Sequence, residues 1–237
     1  MASRIVGLIP ARGGSKGIPR KNLQRLGSDN LLGHKISQAR IAGIQEIFVS
    51  TEDSEIKNSA ISSGANVIDR PMEFATDTSS TDEVVNHAQK QLSLNPQDIL
   101  VLLQVTSPLL LTSSIKLCVD KLMSNHHLQC VFTIHRAHPF IWKSSRVSED
   151  IWDPKNHSRS FRPRRQDMGI EGWETGGCYA IRVEGLLEQG IRYPEPTSTV
   201  SVNYLESLDI DNLEDLETAR IVYQAYADEY KVHGRGR

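Results

Sequence analysis

The amino-acid sequence predicts an α/β fold in which a mostly parallel sheet is flanked by helices. The first observation is that short apolar runs alternate with segments of helical periodicity. This alternation implies crossover connections, which join parallel strands. The second is that a loop rich in glycines and cations follows the first apolar run, where ligands of open α/β sheets bind. The 237 residues are enough for one large domain of this kind.

The first half of the chain keeps to this alternation. Short apolar runs predict strands at residues 5–10, 46–50, 66–68, 98–104 and 129–135. Apolar residues at helical spacing predict helices at residues 32–44, 54–64, 80–92 and 112–123. Gly43 and Gly64 mark two helix ends, and Ser79 or Ser80 is placed to cap the third helix.

The pattern breaks after His135. Residues 138–169 are rich in proline, tryptophan, arginine and serine without clean periodicity, which indicates function or partner contact. Regular patterns then predict a strand at 177–183, a helix at 184–189, a strand at 199–204 and a helix at 212–230. We therefore predict one domain over residues 1–230 and a frayed tail over residues 231–237.

Composition excludes several classes of protein. The 27 basic and 29 acidic residues give a net charge of −2, which argues against a nucleic-acid or general polyanion binder. Cys118, Cys130 and Cys178 form no C-x-x-C pair and no zinc pattern, and we expect Cys118 and Cys130 to be buried thiols in a reducing compartment. No signal peptide or membrane span is recognised, so we expect a cytoplasmic protein without membrane contact.

The loop after the first strand has the composition of a phosphate site. Its glycines permit close backbone approach, and successive N–H groups can form a concave anion site. Cations and hydrogen-bonding side chains surround them: Arg12, Lys16, Lys21, Ser15 and Asn22. The loop is neither a Walker A motif nor G-x-G-x-x-G, and the alternative is an exposed polar loop.

Two carboxylates near the chain end suggest a metal site. Asp209 and Asp211 are separated by one residue on an extended segment, so their side chains point the same way. Paired oxygen ligands beside a phosphate site are typical of Mg²⁺, whose shell the phosphates complete. The alternative is a solvated acidic strand end with a helix cap.

Three further segments carry candidate ligand contacts. Gln104 ends a buried strand, so its amide faces the crevice at the strand ends, although the following Thr-Ser-Pro is also turn chemistry. Arg70 and the hydroxyl run of residues 76–81 could contact a base or ribose, or cap a helix. The arginines of residues 162–165 form a carboxylate or phosphate patch, or a solvated basic loop.

Together these segments resemble the acylneuraminate cytidylyltransferases over nearly the whole chain, from Ile5 to about Tyr226. The opening segment 11–22 looks like the family's nucleotide-binding motif, and four later segments are similar to its other motifs: residues 49–53, 104–108, 164–167 and 207–211. The resemblance implies a Rossmann-like nucleotidyltransferase fold, CTP and Mg²⁺ as ligands, a nine-carbon 2-keto sugar acid as acceptor, and a homodimer. Residues 132–170 would form a dimerisation excursion.

The resemblance also implies roles for single residues. Nucleotide binding falls to the opening motif and the cytidine contacts: Ala11, Arg12, Gly13, Gly14, Ser15, Lys16, Lys21, Asn22, Arg70, Ser80 and Thr81. Sugar-acid binding falls to Gln104, Arg165, Gln166, Thr175 and Tyr179, with Arg165 as the carboxylate clamp, from either protomer. Catalysis falls to Arg12, Lys16, Lys21, Gln104, Asp209 and Asp211, of which the two aspartates would hold the metal.

Two departures from the family pattern leave the acceptor open. Thr175 stands where the family usually has an asparagine, and Arg192-Tyr193 stands near a more apolar acyl-group pocket of some members. N-acetylneuraminic, legionaminic and pseudaminic acids are all candidates. A transferase for another acid, such as a 3-deoxy-octulosonic acid, and a non-catalytic nucleotide-binding module are the alternatives.

Overall fold

A computed structural model describes residues 3–145 and 148–226, and for Arg165 it describes the backbone alone. The predicted tail at 231–237 and the predicted last turn of the final helix lie outside these residues. No helix within the described ranges is both long and apolar enough to cross a membrane.

Eleven strands and six α-helices make up the described chain. The strands are β1 (Ile5–Pro10), β2 (Arg25–Leu26), β3 (Asp29–Asn30), β4 (Glu46–Thr51), β5 (Asn66–Asp69), β6 (Ile99–Leu103), β7 (Cys130–Arg136), β8 (Trp142–Ser144), β9 (Trp152–Pro154), β10 (Gly172–Arg182) and β11 (Thr197–Val202). The helices are α1 (Leu31–Ile41), α2 (Ser54–Ser62), α3 (Thr81–Gln91), α4 (Thr112–Ser124), α5 (Val183–Gln189) and α6 (Leu213–Ala225). Every strand and helix predicted from the sequence is present, with ends shifted by a few residues.

Seven strands form the central sheet in the order β11-β7-β10-β6-β1-β4-β5. All neighbouring pairs are parallel except those of β10, which runs antiparallel to β6 and β7. The mostly parallel sheet flanked by helices is thereby confirmed. Because β1, β4 and β6 are parallel, their carboxyl ends meet at one edge.

The core lies on both faces of this sheet. In β6, Val101 packs with α1, α2, α4 and α6 on one face, and Leu100 packs with α3 and α5 on the other. All five residues of β6 are buried. Coverage of both faces explains why the central strands are continuous apolar runs rather than alternating ones.

The segment without periodicity is a small excursion from the sheet. Strands β8 and β9 pair as a two-stranded antiparallel ribbon, and one 3₁₀ turn follows at Arg165–Asp167. Strand β10 begins at Gly172 rather than at the predicted 177. Its pairing with β7 is interrupted by a register shift between Glu174 and Tyr179, which divides the strand into two parts. Gly176 lies in this irregularity with φ of 74°, and such irregularities re-aim side chains next to functional sites.

Candidate active site

A cleft of about 410 Å³ opens at the carboxyl ends of β1 and β6, and we name it the cationic cleft. This volume is typical of small-molecule sites. Most of the residues predicted to bind nucleotide line it: Arg12, Ser15, Lys16, Lys21, Asn22, Arg70, Ser80 and Thr81. Gln104 and Asp211 line it as well, together with residues that were given no role, among them Asp77.

The loop after β1 is held by two hydrogen bonds and by close packing at two of its glycines. The Asn22 side-chain amide donates to the Arg12 carbonyl at 2.9 Å. The Gly13 N–H donates to Glu52 Oε1 at 2.7 Å. A carboxylate of the protein itself therefore already accepts from one of the N–H groups that were predicted to bind an anion. A side chain at Gly13 would come within 2.6 Å of Asp53 Oδ2, and one at Gly17 would collide with the Asp211 carbonyl. The glycines thus allow the loop to pack against neighbouring segments.

Ala11, Gly13 and Gly14 are not among the residues that line the cationic cleft. Ala11 is buried, and its N–H donates to the Ser50 carbonyl at 3.0 Å, which continues the pairing of β1 with β4. The N–H groups of Ala11 and Gly13 are thus both taken by neighbouring segments, whereas Gly14 is exposed. Their predicted contact with nucleotide stays a prediction.

The cations of the cleft hold protein carboxylates and carbonyls. Arg12 Nη1 lies 3.0 Å from Asp77 Oδ1, and Lys16 Nζ lies 2.7 Å from the other oxygen of the same carboxylate. Lys21 Nζ donates to the Ile210 carbonyl at 2.6 Å and lies 3.7 Å from Asp211 Oδ1. Asp77 therefore bridges two cations as a bound phosphate would, and Lys21 joins the loop to the Asp-x-Asp segment.

Replacing Asp77 by asparagine is expected to tighten CTP binding. If the triphosphate binds Arg12 and Lys16, as the resemblance implies, it must take them from Asp77, and the amide removes that competition. Because these are exposed ion pairs, the expected fall in the dissociation constant is small, about two- to fivefold. Calorimetry with CTP measures it; weaker binding of CTP to Asp77→Asn would show that Asp77 assists the nucleotide rather than competes with it.

Arg70, Ser80 and Thr81 lie on the far wall of the cationic cleft. Arg70 is buried, and its guanidinium donates to the Ser50 hydroxyl and carbonyl. Desolvation lowers the pKa of Arg70 to about 10, so the group remains a cation at neutral pH. Ser80 caps α3 in a capping box with Glu83, which is the helix-capping role that the sequence offered as the alternative to a ligand contact. It also lines the cationic cleft.

A second cleft of about 520 Å³, which we name the polar cleft, adjoins the first and shares Gln104 and Thr106 with it. Its remaining lining comes from β10 and two later segments: Trp173, Glu174, Thr175, Gly176, Tyr179, Arg192, Ser207 and Asp209. The predicted acceptor contacts Gln104, Thr175 and Tyr179 are thus brought together in one wall. Gln166 is exposed on the excursion and is not part of this lining.

A charged network forms the wall of the polar cleft. The Tyr179 hydroxyl donates to Glu174 Oε1. Burial is the main cause that raises the pKa of this phenol, and the hydrogen bond to Glu174 raises it further. Arg192 lies 3.2 Å from Asp82 and 3.7 Å from Glu174, with its guanidinium carbon 5.5 Å from the Tyr179 ring centroid. The cleft therefore presents a fixed guanidinium beside an aromatic ring. Sequence reasoning placed Arg192 near an acyl-group pocket without giving it a contact, and it gave Glu174 no role.

The two aspartates straddle the junction of the clefts. Ile210 is fully buried between them, and the expectation that both side chains point the same way stays a prediction. Asp211 lines the cationic cleft and Asp209 the polar cleft. Desolvation raises the pKa of Asp209, and the nearby charge of Asp211 adds to the rise, whereas hydrogen bonds from Thr106 and Ser107 oppose it.

This donor set fits a hard divalent cation only in part. Within residues 3–145 and 148–226, no three His, Cys, Asp or Glu side chains are grouped to hold a metal. Two adjacent carboxylates that repel each other are suitable ligands for Mg²⁺ when phosphate oxygens supply the remaining positions. The residues therefore fit a metal that arrives with a nucleotide.

The fold and the two clefts define a class of protein. A mostly parallel sheet, a cationic glycine loop at the strand ends and a carboxylate pair facing it are typical of an α/β nucleotide-binding protein. A model of the cytidylyltransferase family matches residues 6–160, and the chain belongs to this family. The resemblance seen in the motifs is thereby confirmed.

Relatives and solved structures agree with this assignment. The chain is 34% identical over 209 residues to N-acylneuraminate cytidylyltransferase A of Danio rerio, covering 87% of this chain and 48% of that protein. It is 28% identical over 221 residues to a pseudaminic acid cytidylyltransferase of Campylobacter jejuni, covering 92% and 95%. The chain thus spans about half the length of the Danio rerio relative.

The fold prediction is confirmed by a solved structure of CMP:2-keto-3-deoxy-manno-octonic acid synthetase complexed with CTP. Its TM-score to this chain is 0.65 at 18% identity, over 94% of this chain and 99% of the other. At that identity the likeness shows the Rossmann-like fold alone.

Proposed function

We propose that this protein transfers CMP from CTP to the anomeric hydroxyl of a nonulosonic (sialic-type) acid and releases pyrophosphate. The observation that carries the proposal is the junction of the two clefts. One cleft is lined by three cations of the glycine loop, the other by polar and aromatic groups, and one aspartate faces into each. A nucleotide and an acceptor bound there would meet at Gln104 and Thr106, which both clefts share.

The residues of the junction have complementary roles in the proposed reaction. The acceptor hydroxyl attacks the α-phosphorus, and the bond to pyrophosphate breaks. Arg12, Lys16 and Lys21 bind the triphosphate and neutralise the charge that develops on the leaving pyrophosphate. Gln104 orients the acceptor against the nucleotide, so that positioning supplies much of the rate enhancement.

Asp211, assisted by Asp209, would hold Mg²⁺ at this junction. A bound divalent ion polarises the α-phosphate and lowers the pKa of an attacking hydroxyl. The chain's own contribution is to keep both carboxylates in place: Lys21 lies beside Asp211, and Ser107 Oγ lies 3.4 Å from Asp209 Oδ1.

The relatives support a nine-carbon acid over the alternatives. The names of the matched Danio rerio and Campylobacter jejuni proteins refer to N-acylneuraminate and pseudaminic acid. The octulosonic acid alternative is represented by a structural neighbour at 18% identity, which supports the fold alone. A non-catalytic module has no need for paired carboxylates facing a cationic loop, and both are present.

The direct test is pyrophosphate release from CTP and Mg²⁺ with a panel of acids: N-acetylneuraminate, legionaminate, pseudaminate and 3-deoxy-octulosonate. We expect release with at least one nonulosonic acid and a CMP-sugar product by mass spectrometry. Release with the octulosonate alone would favour the alternative acceptor, and release with none of them would contradict the proposal.

Calorimetry should show CTP binding more tightly than UTP or ATP.

The acceptor carboxylate is assigned to Arg165, and its replacement by lysine should weaken the acid more than CTP. Arginine binds a carboxylate through a planar fork, whereas lysine offers a point charge. We expect the KM for the acid to rise about tenfold, the loss of one charge-assisted hydrogen bond. The comparison variant is Arg192→Lys, since Arg192 lines the polar cleft of the same chain. A larger effect there would transfer the assignment to Arg192.

A homodimer completes the proposal. The excursion exposes large apolar side chains: Trp142 at 44%, Trp152 at 52%, Phe161 at 69% and Ile170 at 80%. Apolar groups so concentrated favour contact with a partner, and the excursion carries Arg165. Light scattering at micromolar concentration should give the mass of a dimer, and Phe161→Ser with Ile170→Ser should give a monomer. A wild-type monomer with full activity would contradict this part.

The cysteines agree with the expected cytoplasmic location. Cys118, Cys130 and Cys178 are all buried free thiols. Proteins of a reducing compartment keep thiols in this form.

A further inference from the structure

Helix α1 holds the segment after β6 through three buried polar side chains. His34 Nε2 and Gln38 Nε2 lie 2.9 and 2.8 Å from the Pro108 carbonyl, and Gln38 also donates to the Leu110 carbonyl at 2.8 Å. Lys35 Nζ donates to the Ser107 carbonyl at 2.8 Å. This segment continues from Gln104 and Thr106, which both clefts share.

Lys35 is the unusual member of this set. Its side chain is completely buried, and desolvation lowers its pKa to about 7. A buried charge destabilises a fold unless its interactions repay the desolvation, and a well-packed apolar side chain is often at least as stable. A lysine in this place therefore calls for a function that an apolar residue would not serve.

The hydrogen bond of Lys35 is not needed to hold the segment. Gln38 binds two of its carbonyls as a neutral donor. The Ser107 carbonyl also accepts from the Leu110 N–H at 3.4 Å, so it keeps a partner without Lys35. What Lys35 alone supplies is an amine whose protonated form, favoured below its pKa of about 7, places a positive charge beneath the segment.

That charge lies under the junction of the clefts. The Ser107 hydroxyl lies 3.4 Å from Asp209 Oδ1, and the Ile210 N–H donates to the Thr106 carbonyl at 2.8 Å. The negative charge of Asp209 in turn favours the charged form of Lys35. Two contacts through one residue, Ser107, thus connect the buried ammonium to an aspartate at the reaction centre.

We propose that Lys35 is a positioning residue for the transfer reaction, whose buried charge fixes the Ser107 peptide and, through it, the Asp209 carboxylate. The inference rests on the proposed function and adds to it a residue that touches neither substrate. Lys35 acts through the field and orientation it gives to the segment, since interactions in a low-dielectric interior are stronger than in water.

The test compares Lys35→Met with Gln38→Met. For Lys35→Met we expect an unchanged or higher melting temperature, because a buried charge is removed without a large change in volume. CTP affinity by calorimetry should stay within about twofold, since the glycine loop is untouched, while kcat should fall at least about tenfold. Gln38→Met should lower the melting temperature and keep kcat within about threefold, because two carbonyls lose a neutral donor while the contact of Lys35 with Ser107 is kept.

Lys35→Gln separates charge from hydrogen bonding. The amide can donate to Ser107, so full recovery of kcat would overturn the role of the charge. A Lys35→Met protein with normal kcat would overturn the proposal, as would the loss of the folded state in both Lys35 variants. If wild-type protein transfers CMP to no acid, the proposed function fails before any variant is made, which distinguishes the two failures.

Discussion

Replacing Asp211 by asparagine is expected to lower kcat at least about a hundredfold at saturating CTP and Mg²⁺. The amide keeps the shape of the side chain and removes the charge that would hold the metal. The fold should not change, since the Asp211 side chain is 81% exposed and its backbone N–H bonds to Asp215. Steady-state kinetics with a Mg²⁺ titration, together with a melting curve, measure both effects.

Two further variants sharpen this prediction. Asp209→Asn should lower kcat less, because Asp209 faces the polar cleft and is proposed only as the assisting ligand. Asp120→Asn is the matched control, an exposed carboxylate that pairs with Lys116 on α4; it should leave kcat unchanged. Asp211→Asn with near-normal turnover in Mg²⁺ would refute the metal assignment.

The strands of the central sheet could be predicted because a run of consecutive apolar residues is enough to indicate a buried strand. In β6, Ile99–Leu103 is apolar at every position, which only a strand covered on both faces requires. Helix α3 was placed by a cap at Ser79 or Ser80, and the structure forms it at Ser80 as a capping box. The first half of β10 was missed, because its register shift depends on the partner strand β7.

The candidate site divides in the same way. The loop from Arg12 to Asn22 is contiguous, so composition and order reveal its chemistry directly. The contacts of Asp77 and Arg192 could not be found this way: Asp77 meets Arg12 across 65 positions, and Arg192, which the resemblance placed only near an acyl-group pocket, meets Asp82 across 110. Their roles depend on tertiary contacts, and a lone aspartate or arginine in a sequence indicates neither. Thr175 is an intermediate case. Its position in the sequence predicted that it lines the acceptor site, but it did not predict the hydrogen bond between its hydroxyl and that of Thr133.

The same loop gives the second large effect, which is expected from Arg12→Met. Arg12 opens the glycine loop and lines the cationic cleft, and its guanidinium donates to the Thr76 carbonyl and to Asp77 at 3.0 Å each. When the triphosphate replaces Asp77, the planar fork can make two charge-assisted hydrogen bonds to phosphate oxygens. Methionine retains the length of the stem without donors or charge.

We expect kcat/KM for CTP to fall about a hundred- to a thousandfold in Arg12→Met, because in the proposed reaction the group contacts charge that grows on the leaving pyrophosphate. Inhibition by added pyrophosphate should weaken in parallel, whereas the KM for the sugar acid should change little. Arg12→Lys should recover part of the loss, since it restores the charge without the fork. Lys57→Met is the control, a cation that pairs with Asp69 and lines neither cleft. If Arg12→Met kept kcat/KM for CTP within about fivefold of the wild type, the phosphates would bind elsewhere than on this loop.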